Sequence, residues 1–422
     1  KWGEAITSFR HALDLNAGDL YSAQVFADGL RGAIFLQANA QLWTDLERCL
    51  KIEGINHQPL AAPAARLLRN SQQLAPLIEA TERGDFNLSA QEVQRGDVLA
   101  PLCTDFAILL LQRDVVPDAA LEKLFTAIRK ILLTLAVAGR LPEQMKPQTL
   151  NFLCTLARQC FLNEYVYRQS AVEETQAAAL REQIDDRLRQ PDEQPPRAAI
   201  AVLACYHALD GLAGKGILES HELASRDDAF DHLITQQVRE LAMERKLAGE
   251  MTELGESGDE VSRKVRSQYE ESPYPRWSGV PHLKPMPLRA LLSYMFPFAN
   301  LADLNISAEP DLLVAGCGTG AHAIFSALRY RNSKVLAMDL SLASLEPPEL
   351  FQEGIGMLLD LQNQARRLAA EIIVKHQRWN GNKKPGGRGQ NRLCNPPGQQ
   401  AALPHPHLRN LLKNLDHAQH RS

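Results

Sequence analysis

At 422 residues, with 45% hydrophobic, 23% charged and 6% aromatic positions, the chain has a globular composition and length for about two to three domains. Its 46 Lys and Arg against 50 Asp and Glu leave a net charge of −4, so no chain-wide basic surface recommends nucleic acid or an anionic membrane as partner. The most apolar stretch, Leu121 to Gly139, carries Glu122, Lys123, Arg129 and Lys130, which is too short and too charged to cross a bilayer, and no signal peptide is expected ahead of it. Seven cysteines without a C-x-x-C pair predict reduced thiols in a cytoplasmic protein rather than a disulfide framework.

From Lys1 to about Gly255 one helix-period segment follows another, rich in Ala, Leu and Gln, with strand signals nearly absent. Short punctuation falls at Gly54 to Pro59, Gly84 to Ser89, Pro117, Pro142 to Pro147 and Pro191 to Pro196. Pro117 and the pair Pro195-Pro196 are expected inside a first helical turn, where the missing N–H would be unpaired in any case. The opening helix pattern places Ile6, Phe9, Leu13 and Asn16 at helical spacing, so the chain is expected to begin inside a structural unit. Ala5, Phe9 and Ala12 resemble the small–aromatic–small pattern of the second helix of a tetratricopeptide repeat, although Ala17 stands where proline is usual. An ordinary amphipathic helix is the other reading, and no second copy is visible at the expected period. The resemblance implies an all-α, repeat-like region, residues 1–255, that binds a protein partner.

The charged, Gly-containing stretch Glu250 to Glu260 is the expected domain boundary. Beyond it, strand and helix patterns begin to alternate, as a parallel sheet with crossover helices requires. Asp311 to Ala315 reads as a strand, Gly316-Cys317-Gly318-Thr319-Gly320 as a glycine loop, Ala321 to Tyr330 as a helix, and Lys334 to Leu340 as a second strand containing Asp339. Glycines at 316, 318 and 320 let the backbone turn sharply and approach a ligand that a Cβ would repel, and the helix start offers unpaired N–H groups. Asp339 is expected at the tip of the second strand, where its carboxylate accepts ribose hydroxyls. Gly316, Gly318 and Ala321 also fit the looser dinucleotide fingerprint, so spacing alone leaves a nicotinamide dinucleotide open.

The run V-A-G-C-G-T-G with the downstream A-M-D-L-S resembles the first two motifs of class I S-adenosylmethionine-dependent methyltransferases. That resemblance implies a Rossmann-like α/β domain in which Gly316, Gly318 and Gly320 line the methionine side of S-adenosylmethionine and Asp339 holds its ribose, with Cys317 and Thr319 of the same loop counted among the cofactor-binding residues. Gln268 to Trp277, Q-Y-E-E-S-P-Y-P-R-W, is similar to an element preceding the glycine loop in bacterial proteins that join tetratricopeptide repeats to such a domain. Its aromatics and arginine in a proline-stiffened loop suit a pocket wall or lid, with Tyr269 and Arg276 as cofactor contacts, or else simple packing of the domain junction. The matches cover Arg266 to Leu345. Cys317 has no visible base partner and is expected as a small buried residue rather than a nucleophile.

After Leu345 the pattern stops. A helix-like stretch, Phe351 to His376, leads to a tail in which eight Lys or Arg stand against the single acid Asp416, a composition that favours disorder. The break is read as a reading-frame shift near Leu345 or as a genuinely divergent short domain, residues 346–422. Either way the Rossmann-like domain, residues 260–345, is expected to be incomplete and this copy inactive, because a cofactor crevice needs further strands. Asn395-Pro396-Pro397-Gly398 is read as a chance match to an amino-methyltransferase motif, and His405, His407, His417 and His420 as solvated tail rather than a metal site. The alternative class is a non-catalytic helical scaffold with a vestigial strand–helix–strand segment.

Overall fold

A computed structural model describes residues 2–16, 18–31, 40–142, 144–190, 195–220, 229–250, 267, 276–277, 279–281, 284–302 and 304–339. The expected boundary beyond Glu250, Tyr269 and everything after Asp339 lie outside these residues.

Every regular element described up to Glu250 is helical. In chain order these are α1 (Trp2–Leu15), α2 (Leu20–Leu30), α3 (Ala40–Lys51), α4 (Gln58–Arg69), α5 (Ala75–Arg83), α6 (Ala90–Arg95), α7 (Asp105–Arg113) and α8 (Ala119–Val137). There follow α9 (Pro147–Leu162), α10 (Ala171–Leu188), α11 (Arg197–Leu203), α12 (Lys215–Glu219), α13 (Ala229–Ile234) and α14 (Glu240–Glu250). Thr235–Arg239, between α13 and α14, winds as a π-helical turn.

Local chemistry sets many of the starts. Ser89 and Ser170 open α6 and α10 with full capping boxes, each serine hydroxyl accepting from the backbone N–H of Glu92 or Glu173 while that glutamate accepts from the serine backbone N–H. The prolines sit differently from expectation at two starts. Asp118 is the N-cap of α8, its carboxylate accepting from Ala120 and Leu121 N–H, so Pro117 falls outside the first turn. Pro196 occupies the N-cap position of α11, while Pro147 takes the first position of α9. An aspartate that caps two backbone donors fixes the start more firmly than the neutral preference of proline, which displaces Pro117 outward.

The apolar faces of these helices merge into one continuous core running in sequence from Leu13 to Val238. At its centre lies a charged side chain. Arg129 is 1% exposed and donates to the carbonyls of Cys205 (3.0 Å), Tyr167 (2.8 Å) and Arg168 (3.0 Å). Its guanidinium also lies 4.6 Å from the Tyr206 ring centroid, and the Tyr206 hydroxyl donates to Glu173. One arginine thereby ties α8 to the segments that follow α9 and α11, satisfying carbonyls that those chain reversals leave without helical donors.

The remaining described elements are α15 (Leu288–Met295), β1 (Asp311–Ala315), α16 (Ala321–Arg329) and β2 (Lys334–Met338). β1 and β2 are parallel neighbours in the register Asp311 with Lys334 through Ala315 with Met338. Met286 pairs with Tyr330, its N–H donating to Arg329 O at 2.9 Å, which stitches the approach to α15 onto the end of α16. A second, small core holds Val314, Cys317 and Ala323. The strands are not covered on both faces among the described residues, since Leu313 is 48% exposed. The reason is geometric: α16 packs on β2, and a single helix covers one face of a two-stranded pair.

Replacing Arg129 by methionine keeps length and apolar volume but strands the Cys205, Tyr167 and Arg168 carbonyls. The helical region is expected to lose about 3–5 kcal/mol, read from urea unfolding followed by far-ultraviolet circular dichroism.

A pH dependence is expected from His57. Burial pushes its pKa down to about 4 from 6.5, with the Arg113 charge adding to the effect and the Ile52 carbonyl opposing it. The folded state therefore binds this proton less readily than the unfolded chain, whose histidine titrates near 6.5. Stability should fall as pH drops below about 6.5 and level off below about 4, by up to about 3 kcal/mol. His57→Gln should flatten that part of the profile, checked by chemical denaturation at a series of pH values.

Candidate functional site

The carboxyl ends of β1 and β2 converge on the glycine loop. The N–H groups of Gly316 and Cys317 both donate to Met338 O, at 2.8 and 3.0 Å, so the first turn of the loop hangs from the last residue of β2. Gly318 N–H donates to Asp339 Oδ2 at 2.8 Å. Gly320 N–H closes back on Cys317 O at 3.1 Å, and α16 starts there, with Ile324 N–H reaching Gly320 O at 3.0 Å.

Gly316, Gly318 and Gly320 have φ values of +70°, +53° and +82°. This left-handed backbone is costly for any residue with a Cβ, which explains the alternation of glycine with other residues through the loop. Among the described residues, a Cβ built on any of the three meets no atom within 4 Å, so packing against them is not what demands glycine there. The backbone conformation demands it, and the direction in which each Cβ would point is open space beside the loop.

Cys317 and Thr319 face inward, at 6% and 7% exposure. Burial, with the Asp339 charge adding to it, pushes the Cys317 thiol up to about 12, so at neutral pH it is a protonated, apolar-packed group rather than a thiolate. The structure thus brings five of the sequence-derived candidates together in one loop, Gly316 to Gly320, and sets Asp339 against them.

Arg276 is elsewhere. Its guanidinium is ion-paired with Glu164, comes within 3.9 Å of Glu244, and lies 4.2 Å from the Phe161 ring centroid. All three partners belong to the helical region, so of the two roles open to this arginine the structure displays junction packing. Tyr269, the other candidate from the same element, is outside the described residues. The neighbouring Trp277 bonds to the loop instead, its indole Nε1–H donating to Thr319 O at 2.9 Å. Trp277 is a contact of the loop that lies outside the expected site residues, and Glu164 is the partner that holds Arg276 on the helical side. The indole beside Arg276 in P-Y-P-R-W was a signal for the first, while Glu164 has no local mark.

The motifs at Asn395 to Gly398 and the tail histidines lie outside the described residues, and among those described no group of His, Cys, Asp or Glu is arranged to hold a metal ion. No described helix is long and apolar enough to cross a membrane. Comparison of the chain with protein-family models, with curated proteins and with solved structures finds no match.

Gly318→Ala tests whether backbone conformation is what requires glycine in the loop. With no atom for the new methyl to strike, the expected cost is backbone strain alone, about 1–2 kcal/mol. Amide exchange at Gly320 and Ile324 should accelerate about ten-fold, the equivalent of that energy, with the helical region unchanged.

Proposed function

We propose that residues 260–345 carry the cofactor half of a Rossmann-like, class I S-adenosylmethionine-dependent methyltransferase domain, joined to a tetratricopeptide-like helical region that binds a protein partner in the cytoplasm. The observation that carries the reading is the meeting of the Asp339 carboxylate with the Gly318 amide at the carboxyl ends of two parallel strands. Ligands of doubly wound sheets bind at such strand ends, beside a glycine loop and a helix start. Free thiols at Cys49, Cys103, Cys154, Cys160, Cys205 and Cys317 agree with a reducing compartment.

The residues present fit an adenosyl ligand. The three left-handed glycines leave open space on the side where their Cβ atoms would project, which lets a ligand approach the backbone closely. Asp339, held to the loop by Gly318, accepts ribose hydroxyls through a carboxylate with about four lone-pair positions. Cys317 and Thr319 are packed inward and shape the loop from behind. Bound S-adenosylmethionine supplies a methyl group on a sulfonium, an excellent leaving group, so the protein's task is orientation and exclusion of water. A dedicated acid or base is not required.

Among the described residues two strands are present, and β1 keeps Leu313 half exposed. The proposal therefore includes that this chain binds the nucleoside weakly and transfers no methyl group. The rival, a non-catalytic helical scaffold, draws on one observation: the continuous core belongs to the helices, while among the described residues the strand segment has only a small core of Val314, Cys317 and Ala323.

Equilibrium dialysis and calorimetry with S-adenosylhomocysteine on the full chain separate the two. Saturable binding that Asp339→Ala weakens by about 1.5–3 kcal/mol supports the cofactor reading. Absence of binding to S-adenosylhomocysteine and to NAD alike favours the scaffold, and binding of NAD alone would replace the cofactor assigned here.

A further inference from the structure

Two adjacent side chains between the helical region and β1 bond to different parts of the chain. Arg276 reaches back 112 residues to Glu164 and Trp277 forward 42 residues to Thr319. We propose that Arg276 and Trp277 form a two-sided clasp through which the helical region positions the glycine loop.

Both halves of the clasp are built into their surroundings. On the helical side the ion pair is sheltered, with the Arg276, Glu164 and Glu244 side chains 17%, 13% and 7% exposed. Low exposure removes the solvent screening that makes surface pairs weak, and the planar guanidinium stacked over Phe161 fixes the orientation of the arginine. Glu164 itself is held in an unusual backbone conformation. It and Tyr165 both have φ of +55°, two consecutive left-handed residues that are not glycine, directly after the end of α9. Such strain persists only where the surroundings enforce it, and here it carries the Glu164 carboxylate to the place where Arg276 meets it. The reversal is pinned by Glu164 N–H donating to Phe161 O and Tyr165 N–H donating to Cys160 O, at 3.1 and 2.8 Å.

On the loop side, Trp277 holds a backbone carbonyl rather than a side chain. Thr319 lies between two left-handed glycines, so its peptide orientation is tied to the shape of the loop. A fixed donor at that carbonyl restricts the flips open to Gly318 and Gly320. Arg276 and Trp277 are consecutive, so a displacement of Glu164 is passed to Thr319 through one peptide unit. The helical region and the loop are then thermodynamically coupled, and the coupling is reciprocal. This makes Arg276 a positioning residue for the proposed cofactor site; only the ligand measurement below rests on that functional reading.

The test is hydrogen exchange on the full chain, comparing Glu164→Gln, Trp277→Phe and the double variant with wild type. Glu164→Gln keeps size and shape in the helical region, and Trp277→Phe keeps an aromatic ring while deleting the indole donor. Each single variant is expected to accelerate exchange of the Gly318, Gly320 and Ile324 amides by about three- to ten-fold, the usual worth of such a contact. The double variant should do no more than the larger single, because both cut the same connection. Arg276→Lys, which retains the charge but not the planar fork, should fall between wild type and Glu164→Gln.

Acceleration confined to residues 147–165 in Glu164→Gln, with the loop amides unmoved, would overturn the clasp, as would additive effects in the double variant. If Trp277→Phe fails to fold, Glu164→Gln still decides, since its substitution lies outside the strand segment. S-adenosylhomocysteine affinity should fall in Glu164→Gln by the factor seen in exchange. If wild type does not bind it, the functional reading fails and the exchange result alone judges the clasp.

Discussion

The hydrogen bond from Gly318 N–H to the Asp339 carboxylate is the contact on which the strand segment of this molecule turns. It joins the loop that follows β1 to the residue that follows β2, and it forms only if the two strands are parallel and in the register observed. With Gly316 and Cys317 both donating to Met338, the last carbonyl of β2 and the carboxylate after it between them accept three successive amides of the loop. Buried or half-buried amides need partners, and the neighbouring strand supplies them for the first turn of the loop, while Trp277 reaches the Thr319 carbonyl further along it. The left-handed glycines follow from that constraint. A chain turning this tightly after a strand has to pass through positive φ, and glycine does so at the lowest cost.

The helical half meets the corresponding problem, unpaired carbonyls at the ends of helices, with a side chain. Arg129 sits in the middle of the core and collects three carbonyls from two chain reversals. A buried charge is expensive unless its hydrogen bonds are made, and its aromatic neighbours Tyr167 and Tyr206 present ring faces that further stabilise the cation. The Tyr206 hydroxyl then donates to Glu173, the glutamate of the capping box that Ser170 opens at α10, so the polar contacts run from the core to a helix start. Specific polar links of this kind discriminate among the many ways in which Ala- and Leu-rich helices can pack.

Between the halves, Arg276 and Trp277 make the described side-chain contacts that carry position from one to the other. The helical side contributes the strained Glu164–Tyr165 reversal, and the strand side contributes the Thr319 carbonyl within the glycine loop. Strain at one end and a peptide whose orientation matters at the other are what a positioning element requires, because each has a defined geometry to transmit.

How much of this was legible in the sequence depends on the range of the interactions involved. The strand–loop–helix–strand order from Asp311 to Met338, the three glycines and the acid after β2 are written in short-range pattern, because strand period, helix period and positive φ each act within a few residues. The helical character of the first half is local in the same way, as are the serine capping boxes at α6 and α10. Other features had no local mark. Nothing near Arg129 distinguishes it from the exposed charges of an amphipathic helix, and its burial is decided by carbonyls about 40 and 75 residues away. Arg276 reads equally well as a ligand contact or as junction packing, and Glu164, 112 residues back, decides where its guanidinium goes. Short-range pattern sets the order of the elements and the backbone chemistry of the loop, whereas the partners of the buried charges are settled only in three dimensions, because an ion pair or a carbonyl contact is chosen by distance in space and leaves no period along the chain.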